Sequence, residues 1–126
     1  MQAQSVQSQA SKLGFDWEGV AGAFEKLEEE IDELKTEITG KSKAEIKANS
    51  SDIEKELGDC VFALVNVARK LNLDAEAATL TCVHKFKSRF GYIEDQLQAR
   101  GKSLEESDID EMDALWESAK QHERAL

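Results

Sequence analysis

The chain contains no proline, only two cysteines, and an aromatic share of 6%. Without proline nothing forbids long helices, and the seven glycines fall mostly at punctuation points, so helical structure is favoured throughout. Cys60 and Cys82 are too few for a disulfide scaffold and lie in apolar helical contexts, which predicts buried packing residues in a reducing, cytoplasmic setting. Long hydrophobic runs are missing as well. The most apolar uncharged stretch, Cys60 to Ala68, falls far short of the ~20 residues that span a bilayer. The opening MQAQSVQSQASK shows no basic segment followed by an apolar one, so no secretory signal is visible. Positive charge is scarce: 16 Lys and Arg stand against 26 Asp and Glu, a formal net charge of −10. That balance argues against general nucleic-acid binding, which needs a basic surface. His84 and His122 are not spaced with the cysteines as a zinc site, and GxxxxGK[ST], GxGxxG and GxSxG motifs are all absent.

What is present reads as one all-α domain of 126 residues, with 40% apolar and 33% charged residues. Residues 1–13 are Gln- and Ser-rich and weakly amphipathic, which predicts a weakly ordered first helix, frayed or docked on a partner. A stronger helix is expected from Asp16, as N-cap, to about Ile38, with Gly40 as its stop. Its apolar residues Val20, Phe24, Leu27, Ile31, Leu34 and Ile38 follow the spacing of a bundle seam. The polar stretch Lys41 to Ser50 reads as a connection with room for a short helical turn. Ser51 and Glu54 suggest a capping box for a helix to about Leu71, with a core stripe of Ile53, Leu57, Cys60, Val61, Leu64, Ala68 and Leu71. Asp74 is expected to cap a long helix stopped by Gly101, and Asp108 with Glu111 a last helix carrying Met112, Leu115, Trp116 and Ala119.

Two carboxylate clusters stand out, EEEIDEL (Glu28–Leu34) and EKELGD (Glu54–Asp59). Either one alone reads as a solvated face of an acidic helix. At about 100° per residue, Glu30 and Glu33 lie roughly 80° and 140° to one side of their apolar stripe, and Glu56 and Asp59 roughly 100° and 160° to the same side of theirs. If the two helices pack through their seams, both pairs converge at one edge of the contact. Four gathered carboxylates repel and raise one another's pKa values unless a counter-charge is supplied. Mg²⁺, which takes oxygen ligands from carboxylates and phosphates, is the natural candidate. Gly58 beside them allows close approach of a ligand or a neighbouring helix. Asn66, seven residues beyond Asp59, returns to that face as a ligand contact or as a hydrogen bond within the bundle.

Basic groups are informative in so acidic a chain. Lys85 and Arg89 share one helical face, as do Trp116 and Lys120, and Arg and Lys are the residues that bind phosphate oxygens. The plain alternative is that Lys85 and Arg89 form surface ion pairs and Trp116 is a core residue.

The pair E-x-x-E (Glu30, Glu33), a spacer of 22 residues, and E-x-x-D (Glu56, Asp59) resemble the signature of the all-α nucleoside triphosphate pyrophosphohydrolases. Within that superfamily the chain is similar to the C-terminal catalytic domain of the MazG type. The supporting stretches are GFDW (Gly14–Trp17), EKELGDCVFALVNVARKL, KFKSRF (Lys85–Phe90) and ARG (Ala99–Gly101). The resemblance implies a helical bundle whose four-helix core is completed by dimerisation, as a homodimer or a dimer of dimers, with catalytic helices over 14–100 and a C-terminal helix, 103–126, over the nucleotide. It also implies Mg²⁺-dependent hydrolysis of a nucleoside triphosphate to monophosphate and pyrophosphate, with Mn²⁺ able to substitute, in nucleotide-pool housekeeping. Glu30, Glu33, Glu56 and Asp59 match the metal ligands, Lys85 and Arg89 the phosphate-contacting pair, and Trp116 and Lys120 the residues brought over the nucleotide. Glu29 and Glu37 are weak candidates for a base that accepts the water's proton. No membrane or nucleic-acid partner is expected. The chain reads equally as a stand-alone enzyme or as the C-terminal half of a longer one. Rival readings are a related pyrophosphohydrolase with a narrow substrate (dCTP, dUTP or phosphoribosyl-ATP) and a non-catalytic acidic helical protein that binds a basic partner.

Overall fold

Glycines with left-handed backbone and a few side-chain caps set the helix boundaries in the computed structural model, which describes residues 1–125. Among the described residues there are six helices and no strand, so the all-α expectation holds. They are α1 (Gln2–Lys12), α2 (Gly19–Ile38), α3 (Lys43–Ala48), α4 (Ser50–Lys70), α5 (Ala75–Ala99) and α6 (Ile109–Ala125). Gly40 and Gly101 follow α2 and α5 with φ of 75° and 73°, a conformation that resists any other residue. Asp74 Oδ1 accepts from the Ala77 N–H at 3.0 Å, and Asp108 Oδ1 from the Glu111 N–H at 2.8 Å, as the sequence predicts. The expected capping box at Ser51 is not formed. It lies instead at Ser42 and Glu45, where it opens α3. α4 then begins directly from Asn49, whose side chain donates to Glu37 Oε2 at 2.8 Å.

The chain divides into two compact units, Met1–Ala78 and the residues from Thr79 onward, with the division inside α5. In the first unit α2 packs along α4, and α1 also lies on α4. The first helix, expected to be frayed or docked on a partner, is α1, and it is tied to its own chain. Gln7 Nε2 donates to the Phe62 carbonyl at 2.8 Å, and Gln4 Nε2 to the Leu73 carbonyl at 2.9 Å. The N-terminal ammonium pairs with Glu76 at 2.9 Å.

Asp16 does not cap α2, which starts three residues later. It latches the Gly14–Trp17 loop instead. Its carboxylate accepts from Ser11 Oγ and the Trp17 N–H, each at 2.8 Å, from Lys70 Nζ at 2.8 Å, and from Arg69 Nη2.

The packing face of the two long helices also departs from the sequence reading. The buried residues of these two helices are Ala23 and Glu30 on α2 and Cys60, Ala63, Val65, Asn66 and Val67 on α4. The predicted stripe residues Leu57, Val61, Leu64 and Leu71 are exposed, and so are Phe24, Ile31 and Ile38. The buried face of the pair thus carries small side chains such as Ala23, Cys60 and Ala63, while Val20, Leu27 and Leu34 are half-buried and the other large apolar residues named above point outward. Gly58 is not required by this packing, because a Cβ there would meet nothing within 4 Å.

The second unit centres on Ile93 and Leu97 of α5 and Leu115 of α6, with Phe90, Leu104, Met112 and Trp116 packed around them. Glu111 pairs with Arg100 at 3.0 Å and Lys102 at 3.2 Å. Cys60 is buried as expected, but Cys82 is exposed, because residues 76–88 of α5 are exposed throughout.

The Asp16 latch generates a prediction. Hydrogen bonding to Arg69 holds the Asp16 carboxyl well below the usual carboxylate range. A depressed native value adds stability that is present above about pH 4–5 and is lost as pH falls through the carboxylate range. Asp16→Asn should cost about 1–3 kcal/mol in urea unfolding at pH 7, and its deficit against the unsubstituted protein should shrink toward pH 3. A deficit that stays constant across that range would show the latch contributes no ionic stabilisation.

Candidate active site

Of the carboxylates expected at the edge of the α2–α4 contact, Glu30 lies within it, beside the small residues Ala23, Cys60 and Ala63, and the others lie at its margin. Oxygen atoms of Glu30, Glu33 and Glu56 lie within 4.8 Å of one another. Glu30 is buried, Glu56 half-buried and Glu33 exposed. Asp59, the fourth carboxylate, is exposed and lies outside that set, one helical turn beyond Glu56. It lines a pocket of about 210 Å³ together with Glu30, Lys26, Trp17, Phe62 and Asn66.

The electrostatics of the cluster follow from crowding. Lys26 Nζ binds Glu30 Oε1 at 2.9 Å, and this hydrogen bond is the main reason the Glu30 carboxyl lies below its ordinary value. Glu33 is pushed up, first by its hydrogen bond to Glu30 and then by the negative charges of Glu30 and Glu56. Two carboxylate oxygens, Glu30 Oε2 and Glu56 Oε2, are buried without a hydrogen-bond partner. Buried acceptors of that kind are costly unless a cation or donor reaches them. Convergent oxygen donors with no nitrogen or sulfur among them fit a hard divalent cation.

Asn66 is buried, and its Oδ1 accepts from Arg69 Nε at 3.1 Å and Nη2 at 2.7 Å while its side chain lines the pocket. It therefore bonds within the fold and faces the pocket as well. The weak base candidates are engaged elsewhere: Glu29 pairs with Lys26 at 3.5 Å, and Glu37 pairs with Lys41 and accepts from Asn49.

The remaining predicted residues belong to the second unit. Arg89 donates through Nε and Nη2 to both oxygens of Glu123 at 3.0–3.2 Å, and its guanidinium lies 5.2 Å from the Trp116 ring centre. Trp116 also contacts Phe86, with ring centres 5.5 Å apart. Lys120 pairs with Glu117 at 3.3 Å, and Lys85 is exposed. Arg89 thus forms the ion pair the plain alternative expects of it, Lys120 holds an acidic partner as well, and Trp116 packs at the edge of the unit's core.

Sequence reasoning missed Lys26 and Phe62. Lys26 carried a readable signal, its i, i+4 spacing to Glu30. Phe62 carried none, since it looks like any apolar residue of α4. Trp17 was visible only as part of GFDW.

The MazG nucleotide pyrophosphohydrolase domain model matches residues 19–92. The chain is 40% identical over 118 residues to the nucleoside triphosphate pyrophosphohydrolase/pyrophosphatase MazG of Thermotoga maritima, covering 94% of this chain and 42% of that protein. It is 34% identical over 123 residues to the nucleoside triphosphate pyrophosphohydrolase of Escherichia coli K12, covering 98% and 45% respectively. Similarity at 41% identity over 73 residues extends to the uncharacterized protein YabN of Bacillus subtilis, covering 58% of this chain and 15% of that one. The chain spans less than half the length of the first two relatives. All four carboxylates fall inside the matched span, and this chain belongs to the MazG nucleotide pyrophosphohydrolase domain family.

Proposed function

We propose that this domain hydrolyses nucleoside triphosphates to monophosphate and pyrophosphate with Mg²⁺, and that Mn²⁺ substitutes for it. The observation that carries the reading is the set of three carboxylates whose oxygens approach within 4.8 Å, two of them with a buried, unpartnered atom. In a MazG-family domain such a donor set is suited to a cation shared with substrate phosphates. Glu30, Glu33 and Glu56 would hold the ion, with Asp59 beside them at the pocket wall. When bound, a divalent ion polarises phosphoryl oxygens and makes a nearby water more acidic. The chain's own residues bind and orient. Lys26 fixes one oxygen of Glu30, which leaves the other free to turn toward the cluster. Trp17 and Phe62 wall the adjoining pocket with apolar surface. Lys85, Arg89, Trp116 and Lys120 are proposed as contacts to the phosphates and nucleotide. Arg89 would exchange the Glu123 carboxylate for phosphate oxygens.

Phosphorus NMR of the protein with mixed nucleoside triphosphates and Mg²⁺, with and without EDTA, tests the reading. Monophosphate and pyrophosphate are expected, and their formation should stop with EDTA. Glu33→Gln, at an exposed position, should keep its helicity and lose roughly 100-fold or more in kcat/KM. Diphosphate with orthophosphate, turnover that survives EDTA, or an active Glu33→Gln would overturn the assignment.

The outward apolar residues of α2 and α4 support a homodimer. Phe24, Ile31 and Ile38 repeat every seven residues, and so do Leu57, Leu64 and Leu71, which is the pattern of a helix-packing seam. Light scattering should give twice the 14.0 kDa chain mass, and Leu64→Lys should shift it toward the monomer. A monomer at all concentrations would contradict the proposed assembly.

A further inference from the structure

The chain is strongly acidic, yet in the second unit several cations gather around a single carboxylate. Arg89 of α5 donates through Nε to both oxygens of Glu123 of α6, at 3.1 and 3.2 Å, and through Nη2 to Oε2 at 3.0 Å. Parallel bonds from the Nε–Nη2 edge are also how a guanidinium grips two oxygens of a phosphate. The face of Arg89 is backed by Trp116, whose ring centre lies 5.2 Å away, and Trp116 in turn contacts Phe86. The Arg89 side chain is 14% exposed and that of Glu123 37%, so Glu123 forms the outer, more accessible half of the pair.

Arg89 does not hold Glu123 alone. The Glu123 carboxyl lies below its ordinary value chiefly through the hydrogen bond from Arg89, against the pull of desolvation, and the positive charges of Arg89, Lys85 and Arg124 lower it further. Three cations therefore act on one carboxylate. The contact also differs from the Lys120–Glu117 pair, which joins neighbours three residues apart along α6. The Arg89–Glu123 pair crosses from α5 to α6 between residues 34 apart in sequence.

We propose that Glu123 is a resident stand-in for a phosphate, which a polyphosphate must displace before it engages the cations of α5 and α6. The inference rests on the nucleotide-hydrolysis reading, in which Lys85 and Arg89 contact substrate phosphates, and it adds a competitor carried by the chain itself. An incoming polyanion meets two costs. A phosphate that takes the Nε–Nη2 edge breaks the pair with Glu123, and one that approaches Lys85 or Arg89 from any other side is repelled by the carboxylate. Binding is therefore weaker than the cations alone would allow. The same competition favours release of pyrophosphate, because Glu123 returns to Arg89 as the product leaves.

The test is Glu123→Gln, which keeps the length of the side chain and removes its charge. Losing a negative charge in the last turn of α6 also favours that helix, and circular dichroism reports whether it persists. The KM for ATP with Mg²⁺ and the inhibition constant of inorganic pyrophosphate should each fall roughly three- to tenfold. Glu94→Gln removes the same charge from another exposed position of α5 and should leave both within about twofold. In an Arg89→Ala background most of the gain from Glu123→Gln should vanish, since the competitor has lost the group it competes for. Should Glu123→Gln disturb α6, Glu123→Ala, with the stronger helix former, is read in the same way. Constants that stay the same or rise in the folded variant overturn the proposal, and a rise would make Glu123 a support that holds Arg89 for the substrate. If Arg89→Ala still lowers kcat/KM in that case, the phosphate-contact reading stands. If Arg89→Ala alone changes neither kcat/KM nor pyrophosphate inhibition, the phosphate-contact reading fails and the stand-in falls with it.

Discussion

Glu30 and Glu56 each carry a carboxylate oxygen buried without a hydrogen-bond partner, and Glu33 brings a third acidic group within 4.8 Å of them. Crowded carboxylates in a helix–helix contact repel, and desolvation magnifies the cost. Lys26 offsets part of it by pairing with Glu30, and Glu33 responds by holding its proton more tightly. One lysine cannot neutralise three carboxylates. A divalent cation bound by all three is the proposed remedy, and the rest of the first unit is arranged so that the cluster can exist.

That arrangement begins with side-chain size. Ala23, Cys60 and Ala63 occupy the buried face where bulkier residues would hold α2 and α4 apart. The consequence is that Phe24, Ile31 and Ile38 of α2 and Leu57, Leu64 and Leu71 of α4 point outward from the pair, which is the basis for the proposed dimer. Asp16 fixes the Gly14–Trp17 loop through Arg69, Lys70 and Ser11, so that Trp17 and Phe15 wall the cavities beside the carboxylates. The first unit thus combines an acidic end with an aromatic one, a division suited to a ligand with a charged tail and a planar head.

Much of this was legible in the sequence, for reasons that particular residues make clear. Helix identity followed from periodicity and composition, and the caps at Asp74 and Asp108 from local hydrogen bonding that needs no tertiary partner. The carboxylates were legible because i, i+3 spacing on two helices is a geometric statement. The contact face was not. Leu57, Val61 and Leu64 have the hydrophobicity of core residues, and no local rule says that a face of smaller residues wins the intrachain contact. Asp16 was misread for a similar reason, since its partners Arg69 and Lys70 lie more than fifty residues away. Ser51 lost its capping role to Ser42 because a short helix not resolved by periodicity precedes α4. Lys85, Arg89, Trp116 and Lys120 came into view through family resemblance, and in the second unit Arg89 and Lys120 hold acidic partners of their own.

The central claim is that Glu30, Glu33 and Glu56 together hold a divalent cation, and electron paramagnetic resonance of Mn²⁺ titrated into the protein tests it without reference to any reaction. The free-ion signal should be depleted in a saturable way, recover when Mg²⁺ is added, and be depleted far less by Glu56→Gln. Mn²⁺ that stays free, or binds the variant as tightly as the unsubstituted protein, would contradict the account.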